Sequence, residues 1–205
     1  LVHGVTRLCQ HLQSYSLRGL RKRDYPPSLF VHQPWWDRYR RFNEHVSAVG
    51  RILKSGRVLC DTVVLHGMSS AWIEYDGRTN NDIYNLYDSM LRVSNRLDEC
   101  QTPFHYADAT VMEEHGSVTR AGGTALTIGS MHYRIVVLPR VTNVSRTTCK
   151  LLREFCADGG TLLSLDRSPP LVEGEECDEV KRIWKAVETF PDEEALAEAA
   201  AARSV

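Results

Sequence analysis

The amino-acid sequence predicts an α/β protein, a three-layer sandwich in which helices cover both faces of a mostly parallel sheet. Short apolar runs rich in β-branched residues alternate with longer segments whose apolar residues recur at three- and four-residue spacing. The chain has 205 residues, of which 42% are hydrophobic and 25% are charged. This length and this composition are typical of a globular protein with a substantial core.

The N-terminal half predicts a helix, a strand and a second helix. A proline suits the first turn of a helix and a glycine suits its end, so the first helix runs from about Pro34 to about Gly56. Its apolar stripe consists of Tyr39, Phe42, Val46, Val49 and Leu53. The run from Val58 to Leu65 predicts a strand that is buried on both faces. Asn80 or Asn81 is expected to cap the next helix.

The C-terminal half continues this alternation. Its predicted elements are a strand at 104–107, a hairpin around Gly122-Gly123, a strand at 133–138, a helix at 145–157, a strand at 161–165 and helices at about 180–187 and 192–202. Because parallel strands need long crossover connections, this order predicts a sandwich over roughly residues 56–187. We expect it to be flavodoxin-like or class I glutamine amidotransferase-like.

Charge, hydropathy and cysteine spacing argue against several classes of protein. A formal net charge of −1 leaves no positive excess for a nucleic-acid partner. No run approaches the roughly 18 apolar residues of a membrane span, so no membrane partner is expected. None of the six cysteines forms a CxxC pair. We therefore predict reduced thiols, no zinc site and a cytoplasmic rather than secreted chain.

The sequence contains no complete catalytic motif. A nucleophile elbow would place a serine or cysteine between glycines after a strand, whereas Pro139 to Asn143 follow the clearest strand. Cys60 is predicted to pack inside its own strand. Ser69 and Ser70 follow a strand with only one glycine beside them, so a turn whose serines bond the local backbone is favoured over a phosphate-binding loop. We predict no cofactor.

Histidines and paired carboxylates do not suggest a site either. The eight histidines show no HxH or HExxH spacing, so no metal centre is predicted. The carboxylates at Glu113-Glu114 and between Glu173 and Glu176 are close in sequence and diverge, whereas the two acids of a glycosidase must flank one bond. Both groups are interpreted as solvated surface.

Three parts of the sequence carry a resemblance to a known family. They are Gly4 to Arg7 with His11, Tyr15 to Gly19 and Gln33-Pro34-Trp35-Trp36; the strand and small-residue turn from Val63 to Trp72; and Leu138 to Val141 with Gly159-Gly160. Together they resemble the α-L-rhamnosidase-like glycosyl hydrolases. In that family the last units of a (β/α)8 barrel precede an α/β sandwich similar to the middle domain of many β-galactosidases. Thr6 departs from the pattern, because the family often has Asn there.

The resemblance implies two domains and a small set of sugar contacts. Residues 1–36 would be the C-terminal remnant of the catalytic barrel and the connecting loop, and residues 37–205 would be the sandwich. The catalytic acids would lie upstream of Leu1, so no catalytic residue is assigned to this chain. Because the sequence does not begin with Met, we expect it to be an interior part of a longer product.

His11 would lie near the C-terminal end of a barrel strand, where such barrels build their active sites. Trp35 and Trp36 would lie at the rim of the same pocket as substrate contacts, and a hydrophobic anchor for the following helix is the other interpretation of this pair. The implied partners are the upstream barrel, a downstream β-domain of the same polypeptide, a second copy of the chain and the carbohydrate substrate of the parent enzyme.

Three functional hypotheses follow. The first is a non-catalytic structural or oligomer-forming domain of a glycoside hydrolase that acts on plant or microbial glycosides. The second is a freestanding flavodoxin-like or glutamine-amidotransferase-like enzyme or binding protein, which would need a bound flavin or a reactive cysteine. The third is an interaction module that docks another subunit through Leu29-Phe30 and the tryptophan pair.

Overall fold

The computed structural model describes residues 5, 7–10, 18–20, 29, 31–78 and 81–204. The chain divides into two compact units, residues 1–58 and residues 59–205. In the first unit, helix α1 (Trp36–Lys54) begins just after Pro34 and ends just before Gly56, close to the prediction. No residue of α1 is buried, and Phe42 is 52% exposed, so its apolar stripe does not form a closed core.

The second unit alternates strands and helices. Its strands are β1 (Thr62–Leu65), β2 (Phe104–Ala107), β3 (Gly116–Thr119), β4 (Ala125–Ile128), β5 (Met131–Tyr133), β6 (Ile135–Leu138), β7 (Asn143–Val144), β8 (Thr161–Ser164), β9 (Leu171–Val172) and β10 (Glu188–Thr189). Its helices are α2 (Met68–Glu74), α3 (Asn81–Glu99), α4 (Ala109–His115), α5 (Arg146–Ala157), α6 (Asp178–Trp184) and α7 (Glu193–Ala201).

Five parallel strands form the central sheet, in the order β10-β8-β6-β1-β2. If these five strands are numbered along the chain, their order across the sheet is 2-1-3-4-5, which is a doubly wound arrangement. An antiparallel sheet of β3, β4 and β5 and a short parallel pair of β7 and β9 accompany it. The predicted α/β class and the three-layer sandwich with a parallel sheet are confirmed.

Successive side chains of the central strands point to opposite faces and so enter two different cores. Val63 and Leu65 belong to the core that contains α4, α5, α6 and the antiparallel sheet. Val64 and Val137 belong to the other core, where α3 and α7 pack. The alanine-rich C-terminal helix is part of this second core, because Leu196 is fully buried.

The first strand is shorter than predicted. It begins at Thr62 rather than at Val58, because only residues from Thr62 onward pair with β2 and β6. Val58 is 57% exposed. Cys60 therefore precedes the strand instead of lying inside it, although the four strand residues are buried as the apolar run predicted.

The predicted strand at 133–138 is divided between two sheets. Tyr133 ends β5 of the antiparallel sheet, and Ile135 begins β6 of the central sheet. The N–H groups of Arg134 and Ile135 both donate to the carbonyl of Asp61, which brings the chain into register beside β1.

The short helices α2 and α4 were not predicted, because seven residues are too few to show a helical period clearly.

Candidate functional site

The reversal of strand order places the expected binding position of this fold between β1 and β6. In a doubly wound sheet, ligands bind beyond the carboxyl ends of the strands at this switch point. Helix α2 follows β1 there, and the segment from Pro139 to Asn143 follows β6. The side chains of these two segments decide whether the crevice can hold a ligand.

Ser70 of α2 lies on one side of the switch point. Its side chain is 0% exposed. Its hydroxyl accepts hydrogen bonds from the N–H groups of Thr142 and Asn143, each at 3.0 Å, and donates to the carbonyl of Asn143 at 3.0 Å. A hydroxyl has one hydrogen and two lone pairs, so Ser70 has no capacity left for a substrate or an anion. The expected turn with locally bonded serines is wrong, because Ser70 lies in a helix and bonds a distant segment.

Asn143, in the segment after β6, lies on the other side and is itself buried. Its amide nitrogen donates to the carbonyl of Ser69 at 3.2 Å, and its amide oxygen accepts from the N–H of Gly174 at 2.9 Å. The hydroxyl of Thr142 donates to the carboxylate of Glu74. We call Ser70, Thr142 and Asn143 the switch-point cluster. Its polar groups bond one another, the surrounding backbone and the carboxylate of Glu74.

One carboxyl group with a raised pKa lies near the switch-point cluster. Burial raises the pKa of Asp166 above its ordinary value, while a hydrogen bond from the N–H of Val141 and the charge of Arg140 act in the opposite direction. Such groups are candidates for acid–base chemistry. The carbonyl of Asp166 also accepts from the indole of Trp184 at 3.1 Å and the hydroxyl of Ser164 at 3.2 Å. Asp166 therefore connects the segment after β6, the end of β8 and helix α6 through hydrogen bonds.

Three thiols have pKa values that disfavour nucleophilic chemistry. Burial raises the pKa of Cys149 to about 11 and that of Cys156 to about 11, and it also raises the pKa of Cys60. The thiolate is the nucleophilic form of cysteine. These three side chains are therefore protonated near neutral pH, whereas the cysteine of an amidotransferase-like site would need the opposite shift.

Two histidines of the second unit bond hydroxyl groups. His105 Nδ1 lies 2.9 Å from the Tyr133 hydroxyl, and His132 Nδ1 lies 2.8 Å from the hydroxyl of Thr127. Burial raises the pKa of Tyr133 to about 12, so its phenol remains protonated. The first contact joins β2 of the central sheet to β5 of the antiparallel sheet, and the second joins the paired strands β4 and β5.

The structure describes two of the three predicted sugar contacts. Trp35 immediately precedes α1 and is 41% exposed, and Trp36 is the first residue of the helix. The rings of Trp36 and Tyr39 stack with centroids 5.4 Å apart, and Tyr39 stacks on Phe42 at 6.1 Å. His11 lies outside the described residues, so its role as a sugar contact stays a prediction.

Trp36 also lines a groove of about 640 Å³ along α1. The other walls of the groove include Tyr39, Arg40, Asn43, Glu44 and Arg51. The guanidinium of Arg40 and the carboxylate of Glu44 form an ion pair at 2.7 Å. The face of an aromatic ring can stack on the apolar face of a sugar, and neighbouring amide, carboxylate and guanidinium groups can form hydrogen bonds with its hydroxyls.

Among the residues that the structure describes, the cysteines and acids contribute one further cluster. The ligand atoms of Cys149, Cys177 and Glu179 lie within 4.8 Å of one another. The sequence did not predict this cluster because Cys149 and Cys177 belong to different elements. The only local signal is the Cys-x-Glu spacing at Cys177 and Glu179, which is too common to indicate a site.

Comparison of the chain with protein-family models, with curated proteins and with solved structures gives no match. In the part of the chain that the structure describes, no helix is long and apolar enough to cross a membrane.

Proposed function

We propose that this chain is a non-catalytic α/β domain of a multidomain, rhamnosidase-like glycoside hydrolase that acts on plant or microbial glycosides. Its role is structural or oligomer-forming. The observation that carries the proposal is the switch-point cluster, in which Ser70 and Asn143 bond each other where a sheet of this order binds its ligand. Side chains whose hydrogen-bonding capacity is taken up by the protein's own backbone suit a scaffold better than an active site.

The groove beside Trp36 supports the second part of the proposal, a contact with carbohydrate in the first unit. Trp35 and Trp36 are substrate-binding residues of the parent enzyme in this proposal, together with His11. The exposed ring of Trp35 and the polar side chains along α1 are chemically suited to a pyranose. Catalytic residues are assigned to the upstream barrel and none to this chain.

The proposed partners follow from this role. They are the upstream barrel and the downstream β-domain of the same polypeptide, a second copy of the chain, and the carbohydrate of the parent enzyme. Nucleic acid, membrane and cofactors have no part in the proposal, and a cytoplasmic location is proposed over secretion.

A second candidate is a freestanding flavodoxin-like or amidotransferase-like enzyme or binding protein. The strand order 2-1-3-4-5 favours it, because flavodoxin has the same order and binds its cofactor at the switch point. The raised pKa values of Cys60, Cys149 and Cys156 argue against a cysteine nucleophile.

An assay of the purified 205-residue chain with aryl α-L-rhamnosides tests the first candidate. We expect no hydrolysis, and turnover by this chain alone would overturn the proposal. A bound flavin, or labelling of a buried cysteine faster than the exposed Cys9, would favour the second candidate instead.

The carbohydrate contact has a separate test. We expect Trp36→Ala to weaken binding of rhamnose, measured by titration calorimetry, and Trp72→Ala to leave it unchanged. Trp72 serves as the control because it is an exposed tryptophan that lies in the second unit, whereas Trp36 is partly exposed and lies in the first. Equal binding of rhamnose by the wild type and both variants would exclude the groove as a sugar contact. It would not contradict the proposed non-catalytic role, which the hydrolysis assay tests separately.

A further inference from the structure

Three side chains with metal-binding chemistry meet beside helices α5 and α6. The Sγ atoms of Cys149 and Cys177 and a carboxylate oxygen of Glu179 all lie within 4.8 Å of one another. Cys149 is on the first turn of α5 and is 4% exposed. Cys177 immediately precedes α6 and is partly buried, and the exposed Glu179 is on the first turn of α6.

We propose that Cys149, Cys177 and Glu179 form a binding site for a divalent cation of the zinc class, with water as the fourth ligand. Zinc accepts sulfur and carboxylate oxygen in a tetrahedral arrangement, with bonds of about 2.0–2.3 Å. Ligand atoms in such a site are roughly 3.5 Å apart, so side-chain movements of about 1 Å bring the three atoms into place. Thiolate ligands select zinc over magnesium and calcium, which prefer oxygen.

The charges around the cluster are compatible with a bound cation. Two thiolates and one carboxylate carry three negative charges, and a divalent ion leaves one of them uncompensated. Arg153 supplies a positive charge, since its Nη1 lies 3.1 Å from Oε1 of Glu179. Arg153 follows Cys149 by one helical turn and lies on the same face of α5. The ion pair therefore holds the carboxylate of Glu179 beside Cys149.

Coordination would link two helices of the same core. Cys149 belongs to the hydrophobic cluster that packs on one face of the central sheet, and the partly buried Cys177 packs against this cluster. Binding releases one proton from each thiol to the solvent, while the carboxylate binds in its ionised form. An ion that binds the folded chain and bridges α5 to the start of α6 stabilises the folded state by mass action.

A titration of the full chain with Co²⁺ tests the site. The protein is first reduced and treated with a chelator, and the thiolate-to-cobalt charge-transfer absorption is then recorded. We expect one equivalent of Co²⁺ to produce this absorption, Zn²⁺ to displace it, and Zn²⁺ to raise the melting temperature.

Variants separate the three ligands from the other cysteines and acids. Cys177→Ser should remove the absorption and weaken binding by roughly 100-fold, since even the outer partners of metal ligands contribute 10–100-fold. This variant should fold, because serine is favoured immediately before a helix. Glu179→Gln should weaken binding by about tenfold. Cys156→Ser, on the same helix as Cys149, and Glu175→Gln, an exposed acid beside Cys177, should bind like the wild type.

Three results would overturn the proposal. The first is a wild-type titration without thiolate-to-cobalt absorption, as expected if only histidines bind the ion. The second is an unchanged absorption in Cys177→Ser. The third is a loss of the thiolate-to-cobalt absorption in the control Cys156→Ser that equals the loss in Cys177→Ser. That result would place the thiolate ligands elsewhere.

Discussion

The hydroxyl of Ser70 and the backbone of Asn143 are hydrogen-bonded in both directions, although 73 positions separate them in the chain. Oγ donates to the carbonyl of Asn143 and accepts from its N–H, each at 3.0 Å. Ser70 lies in the helix after β1, and Asn143 begins β7 shortly after β6. This pair therefore joins the two chain segments that would otherwise border a ligand crevice.

Removal of the Ser70 hydroxyl should destabilise the second unit. Ser70→Ala removes the acceptor of the buried Asn143 N–H and of the partly buried Thr142 N–H, and an unsatisfied buried group costs about 1–3 kcal/mol. We expect a loss of about 2–3 kcal/mol in the free energy of unfolding, measured by urea denaturation. Ser69→Ala is the control, because Ser69 is the adjacent serine and is partly exposed. Equal stability of the two variants would show that the hydroxyl of Ser70 is dispensable.

The carboxyl of Asp166 should make stability depend on pH. Burial raises its pKa in the folded state above the ordinary 3.8, so the protonated form is favoured on folding. The stabilisation that this shift contributes is complete below pH 3.8, the ordinary pKa of the group. It is lost as the pH rises through the raised pKa of the folded state. Asp166→Asn removes this ionisation and retains an oxygen for the N–H of Val141.

We therefore expect Asp166→Asn to gain stability relative to the wild type as the pH rises across this window, and the difference to level off above it. Urea denaturation at a series of pH values measures the difference. Arg140 and Glu193 act on the same carboxyl in opposite directions, so both must be left intact. A difference that is independent of pH, or one of opposite sign, contradicts the raised pKa.

The C-terminal helix should be held by its apolar face rather than by its ion pairs. Leu196 is 0% exposed in the core shared with α3, so Leu196→Ala should lower the free energy of unfolding by about 2–5 kcal/mol. Glu198 pairs with Arg96 on the surface, where solvent screens the attraction, so Glu198→Gln should have a much smaller effect. A larger effect of Glu198→Gln in thermal or urea denaturation would reverse this ranking.

Gly160 should be intolerant of any side chain. A Cβ at this position would lie 2.4 Å from the ring of Phe155, which is fully buried and cannot move away. Gly160→Ala should therefore destabilise the protein by about 1–3 kcal/mol in urea denaturation. At Gly67 the nearest atom to a new Cβ is 3.7 Å away, so Gly67→Ala is the matched control and should lose less than about 1 kcal/mol. Similar losses would mean that the close approach to Phe155 is unimportant.

Local patterns explain why many elements could be predicted. Ser145 caps α5 by accepting from the N–H of Thr148, as a serine before an apolar helical stripe predicts. The hairpin of β3 and β4 forms around Gly122, whose φ of 82° suits glycine. Each of these features depends on residues that are close together in the chain.

The candidate sites were much less predictable. The sequence predicts a local turn for Ser69 and Ser70, but Ser70 is oriented by a segment that lies five strands further along the chain. Cys149 and Cys177 are brought together by the packing of α5 on α6. The spacing of these two cysteines in the sequence matches no metal-binding motif, so the sequence predicted no zinc site.

By itself the sequence determined the α/β class, the succession of most helices and strands, and the apolar residues that form the two cores. Hydrophobic periodicity and turn residues act over a few neighbouring positions, so the local sequence is enough to specify them. The tertiary structure alone decided the strand order, the saturation of the Ser70 hydroxyl by Asn143, and the meeting of Cys149 with Cys177 and Glu179. Each of these depends on contacts between residues far apart in the chain, which form only when the sheet closes and its helices pack.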